Sequence, residues 1–143
     1  ARSSRWPEAV KLVVATPEVG LHTSHARRVL PADVPLQDAI FNLQRALLVV
    51  HALRSGRYED LREAMKDRWH QPARAPLVPG LAEAIGFNDP AVLGVCLSGA
   101  GPSIVALVTD GAARATALLE AMYARLELPC TIRTLSAHQP ELE

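Results

Sequence analysis

Two apolar runs, residues 91–97 and 103–108, are separated only by Ser98-Gly99-Ala100-Gly101-Pro102. A parallel pair would need a crossover of about a dozen residues or more, so this link forces antiparallel neighbours. The residues after the second run extend the pattern. Asp110 stands where a helix N-cap belongs, and Ala115, Leu118, Leu119, Met122 and Leu126 recur as the inner face of that helix. Residues 131–135 then read as a closing strand. Near the start, VKLVVAT is short, β-branched and closed by Pro17, which is the signature of another buried strand.

Between the first strand and the hairpin the chain is helical. Leu36, Ile40, Leu43, Leu47, Val50 and Leu53 recur at helical spacing over 36–54, and Ser55-Gly56 supplies a stop. A second row, Phe41, Leu48 and Val49, makes this helix apolar on more than one side, so it is expected to pack against something beyond its own sheet. Thr23 is placed to cap a short helix running through Arg28 and Leu30 to Pro31. Tyr58, Leu61, Met65 and Trp69 mark a further helix that fades at Gln71-Pro72. Residues 72–80, with prolines at 72, 76 and 79, read as extended loop, and a short helix through Ala84 comes next. The order is strand, helices, strand, strand, helix, strand. It predicts an α+β fold of the ferredoxin-like split βαβ type, with about four antiparallel strands covered by helices on one face, as a single domain over 1–143. The polar tail from His138 is expected to fray.

Composition narrows the function. Fifteen Lys and Arg balance fifteen Asp and Glu, so no global field draws nucleic acid or an anionic membrane surface, and anion recognition must be local. No apolar stretch approaches the ~20 residues of a bilayer span, and the opening ARSSRWPEAV has no signal-like segment, which predicts a cytoplasmic location. The chain starts without Met and enters a strand within a few residues, so it reads as an excised piece. Cys96 and Cys130 lie in strand-like runs and read as buried thiols.

Chemistry concentrates in three places. Consecutive amides of the turn Ser98, Gly99, Ala100 and Gly101 can cup an anion, and a tight hairpin needing positive φ angles accounts for the same residues. Arg27 lies one helical turn after Thr23, and Arg74 lies in HQPARAP. Two converging guanidiniums suit a carboxylate, since each offers a planar fork of donors. Spacing alone leaves open whether they converge or are separate surface arginines. His70 either orients Arg74 or is a helix-end histidine. His22 and His25 lack further donors at ligand spacing, so no metal site is expected, and no nucleophile, base and orienter share one motif.

The blocks VATPEVGLHTSHARRVLP, PLQDAIFNLQRALLVVHALRSG, HQPARAPLVPG and GVCLSGAGPSIVAL, in this order, resemble the second half of bacterial homoserine kinases. Those enzymes belong to the superfamily of galactokinase, homoserine, mevalonate and phosphomevalonate kinases. The resemblance runs from Lys11 to about Ser136. It implies transfer of the ATP γ-phosphoryl group to the hydroxyl of L-homoserine, giving O-phospho-L-homoserine on the route to threonine. It implies that Arg27 and Arg74 grip the amino-acid carboxylate, that Thr23 lines the reacting site, and that Ser98, Gly99, Ala100 and Gly101 lie against substrate. Ala100 stands where some relatives carry Ser, which keeps the backbone role and removes one hydroxyl. His70 occupies the HQP position with no role assigned. ATP and Mg2+ would be bound mainly by an N-terminal domain, whose Gly-Ser-rich phosphate loop and Mg-binding acid this sequence does not contain. That domain is an implied partner, and the chain by itself is expected to be inactive. Other readings are a mevalonate- or shikimate-type kinase of the same superfamily, or a free-standing ferredoxin-like sensing or dimerisation domain. A homodimer is left open.

Overall fold

The computed structural model describes residues 5–21 and 23–138. His22, one of the histidine pair, and the tail beyond His138 lie outside the described residues. The elements are β1 (Lys11–Pro17), α1 (Thr23–Arg28), α2 (Leu36–Ser55), α3 (Leu61–Ala64), α4 (His70–Arg74), α5 (Leu81–Ile85), β2 (Gly94–Leu97), β3 (Ile104–Val108), α6 (Ala112–Arg125) and β4 (Cys130–Leu135). Single 3-10 turns occupy Tyr58–Asp60 and Ala75–Leu77.

The four strands form one antiparallel sheet in the order β2-β3-β1-β4, so the first strand lies inside and the last at an edge. This is the split βαβ arrangement that the element order predicts. Val13 faces Ala106 on one side and Thr134 on the other, and Cys96 faces Val105. Side chains alternate between faces. Val13, Ala15, Val95, Ile104 and Ala106 form the main core with Ala115, Leu119, Met122 and Tyr123 of α6 and with Val78, Leu81 and Ala84. Leu12, Val105 and Leu107, on the opposite face, pack with Val10, Ala52 and Leu61.

Helices therefore cover parts of both faces, which corrects the expectation of a single covered face. The long connection from β1 to β2 wraps the sheet: α2 and α3 stay on the Leu107 side, and Val78 and α5 return to the α6 side. Gly94 permits this, because a Cβ there would lie 3.0 Å from the Leu61 carbonyl oxygen.

Helix α2 has the predicted bounds but the opposite facing. Leu36, Ile40, Leu43, Leu47 and Val50, the row that periodicity marks as inner, are exposed, and Ala52 is its buried residue. The inward side carries the second row, Phe41, Leu48 and Val49, half-buried with Asp38, Asn42 and Arg45.

The single helix expected from Tyr58 to Trp69 is broken after Ala64. Its successor, α4, runs into the start of the segment 72–80 expected to be loop. Pro72 is tolerated because it lies in the first turn of α4, where an amide has no intrahelical acceptor. Asp110 does not cap α6. Gly111 holds the N-cap position with no side-chain bond, and a Cβ on it would come 2.4 Å from the Ala91 carbonyl oxygen. Leu126, expected inward, is exposed, and Tyr123 is buried instead, its hydroxyl donating to the Pro79 carbonyl at 3.2 Å. No helix among the described residues is long and apolar enough to cross a membrane.

Candidate functional site

The hairpin turn is fixed by its own backbone. The Ser98 amide donates to the Ser103 carbonyl at 2.8 Å, and the Gly101 amide to the Ser98 carbonyl at 2.9 Å. Gly99 and Gly101 adopt φ of +56° and +88°, in the left-handed region that disfavours a side chain. At Gly101 space also excludes one: a Cβ would meet Val78 at 3.0 Å, Leu97 at 3.2 Å and Leu21 at 3.3 Å.

Arg74 is buried beside this turn. Its Nε donates to the Ala26 carbonyl of α1 at 3.1 Å, and one terminal nitrogen donates to the Gly99 carbonyl at 3.0 Å. One guanidinium thus joins α1 to the glycine turn and retains further N–H donors. Asp67, His70, Gln71, Arg74, Cys96, Leu97 and Gly99 line a cavity of about 340 Å3. Thr23 and Arg27 are exposed on α1. They do not line that cavity, and the Arg74 bond to Ala26 is what ties their helix to it.

Asp67 and Gln71 carry no site signal in the sequence, yet they hold this region. The Asp67 carboxylate accepts from the amides of Trp69 at 2.7 Å, His70 at 3.0 Å and Gln71 at 2.7 Å, and from Asn42 Nδ2 at 2.6 Å. It serves the orphan amides that open α4. Burial pushes its pKa up, but these bonds outweigh burial and hold it below the ordinary carboxylate value. Gln71 is buried with both ends of its amide engaged: Oε1 accepts from the Leu97 amide at 2.8 Å, and Nε2 donates to the Met65 carbonyl at 3.0 Å. Asp67 orients α4, Gln71 fastens it to the end of β2, and Arg74 is delivered to the turn. An acid three residues ahead of His-Gln-Pro is a recognisable helix-start signal. The apolar spacing of Met65 and Trp69 masks it.

His70 lies with Nδ1 3.6 Å from Asp67 Oδ2, and its ring stacks on Trp69 at 4.6 Å between centroids. Trp69 itself is half-buried. Cys96 and Cys130 are free thiols of intermediate burial. Burial raises the Cys96 pKa, so this thiol stays protonated and is a poor nucleophile despite lining the cavity.

The family model described as GHMP kinases C terminal matches residues 49–127, more than half of the chain. Homoserine kinases of Thermus thermophilus and Aquifex aeolicus are each 50% identical to it, over 106 and 107 residues, covering 73% of this chain and 36% of theirs. That of Moorella thermoacetica is 36% identical over 136 residues, covering 94% of this chain and 46% of its own. The crystal structure of homoserine kinase from Cytophaga hutchinsonii superposes with a TM-score of 0.85 at 25% identity, over 92% of this chain and 42% of that one. The chain thus spans less than half the length of these relatives. The family match covers more than half of the chain, and the chain belongs to the family of GHMP kinase C-terminal domains.

Proposed function

We propose that this chain is the acceptor-side half of a homoserine kinase, which transfers the ATP γ-phosphoryl group to L-homoserine in threonine biosynthesis in the cytoplasm. The observation that carries this reading is Arg74, buried between the Ala26 carbonyl of α1 and the Gly99 carbonyl of the turn and facing a cavity of amino-acid size. Its remaining donors, with Arg27 one residue beyond the anchored carbonyl, form a clamp for the substrate carboxylate. Thr23, one helical turn from Arg27 and outside that cavity, is assigned to the reacting site by the resemblance to homoserine kinases alone. The amides of Gly99 and Ala100, which the turn's own bonds do not use, face the phosphoryl group.

In the reaction the homoserine hydroxyl oxygen bonds to the γ-phosphorus as the bond to the ADP oxygen breaks, and the hydroxyl proton leaves. Positioning and charge stabilisation dominate such a transfer, so a clamp that fixes the acceptor accelerates it without a base of its own. On the same reading, ATP and Mg2+ are bound mainly by an N-terminal domain, and the isolated chain is inactive.

In the enzyme that includes both halves, Arg27→Ala should lower kcat/KM for homoserine by about 2–4 kcal/mol, roughly 30- to 1000-fold, and leave the KM for ATP unchanged. Arg27 is the cleaner test because Arg74 also tethers two segments. Normal homoserine kinetics in Arg27→Ala would refute the clamp, and a preference for mevalonate or shikimate in a substrate panel would refute the substrate.

A further inference from the structure

Helix α4 grips the hairpin at two points. Gln71 Oε1 accepts from the Leu97 amide at 2.8 Å, and one helical turn on, Arg74 donates to the Gly99 carbonyl at 3.0 Å. Side chains three apart share a helix face, so one face of α4 holds both the last residue of β2 and the turn that follows it. Strand β2 is an edge of the sheet, and there the Gln71 side chain takes up a backbone amide that has no strand beside it. The other end of the same side chain donates to the Met65 carbonyl, just beyond α3. Gln71 is 7% exposed and Arg74 9%. A carboxylate in place of the Gln71 amide would set oxygen against the Met65 carbonyl oxygen, and an aliphatic chain would leave both backbone groups unpaired.

Of the residues lining the adjoining cavity, Arg74 is the one that offers a fork of donors to a carboxylate. The Asp67 carboxylate is occupied, Oδ1 by Asn42 and the Trp69 amide and Oδ2 by the His70 and Gln71 amides. His70 is stacked on Trp69, and both ends of the Gln71 amide are engaged. Arg74 itself spends Nε on the Ala26 carbonyl and one terminal nitrogen on Gly99. A planar guanidinium tied at two nitrogens has its remaining N–H directions set by those ties and by the place of its own backbone. Gln71, one turn earlier, fixes that backbone against the hairpin. We infer, on the reading of this chain as an acceptor-side half, that Gln71 is a positioning residue for selectivity: by locking α4 to the end of β2 it aims the free donors of Arg74 and makes the site prefer an acceptor that carries a carboxylate.

The test, in the enzyme that includes both halves, compares L-homoserine with 3-aminopropan-1-ol, which keeps the hydroxyl and the ammonium and lacks the carboxylate. Gln71→Met removes both hydrogen bonds at similar side-chain volume. It should lower the ratio of kcat/KM for homoserine to that for the amino alcohol at least about tenfold, chiefly by raising the KM for homoserine. Damage that is only structural lowers both substrates alike and leaves the ratio where it was. If Gln71→Met does not fold, Gln71→Asn carries the test, since it keeps the amide and withdraws it by one methylene; the ratio should fall in the same direction by a smaller factor. A parent enzyme with no preference for homoserine over the amino alcohol refutes the carboxylate clamp and this inference with it. A parent that has the preference, with the ratio unmoved in the folded variant, overturns the role of Gln71 alone.

Discussion

At the scale of single residues, the site depends on side chains that bind backbone more than one another. Asp67 serves three amides, so Asp67→Ala should cost about 1–2 kcal/mol and loosen α4, measured as a lowered Tm. Its pKa lies below the reference value of 3.8, so its contribution is present above that value and disappears as pH falls through the depressed one. The Tm difference between the parent and Asp67→Asn should therefore narrow in strong acid and persist at neutral pH. Gly101→Ala combines a φ of +88° with contacts of 3.0 to 3.3 Å and should cost about 1–3 kcal/mol. Gly99→Ala has open space and should cost less, since only its φ of +56° opposes it. Chemical denaturation of the two variants checks the ranking. The glycines of this turn are legible in the sequence because they bridge two apolar runs. Gln71 is not, because its partners are a backbone amide and a carbonyl, which leave no trace in residue type, and the helix-start signal of Asp67 is masked by the apolar spacing around it.

At the scale of elements, sequence locates helices better than it orients them. Spacing at 3.6 residues reports that one side of α2 is apolar, but that pattern is identical whether the side meets its own sheet or another molecule. Only the inward pairing of Asp38, Asn42 and Arg45 separates the two cases. The second half of α4 reads as loop in the sequence because the prolines at 72, 76 and 79 suggest extension, although Pro72 occupies a position where proline suits a helix. Helix α6 offers a direct contrast between predicted and observed inner faces. Leu119→Ala should cost about 2–5 kcal/mol, whereas Leu126→Ala should lie within about 0.5 kcal/mol of the parent, as measured by urea unfolding. On the same helix the Tyr123 pKa is pushed up to about 12, first by burial and then by the Cys130 thiolate. A raised value favours the protonated native state, so this contribution is whole below pH 10.0 and is lost as pH climbs towards 12. Tyr123→Phe should show a flatter alkaline decline in Tm.

At the scale of the whole molecule, the fold brings residues far apart in sequence to one end of the sheet. Spacing leaves Arg74 without a role, and it is the resemblance to homoserine kinases that supplies one. The reading of this chain as an acceptor-side half predicts that it binds no ATP-Mg usefully and yields no detectable phosphohomoserine by itself. Coupled ADP release, with and without the other half, measures this. Arg74 also ties two segments together, holding a carbonyl 48 residues upstream and another 25 residues downstream. Whatever shifts the glycine turn must strain or relax α1 through one shared group, and thermodynamic reciprocity makes the influence equal in both directions. On the proposed reading, a phosphoryl group at the turn and a carboxylate beside α1 would then bias each other through that one guanidinium.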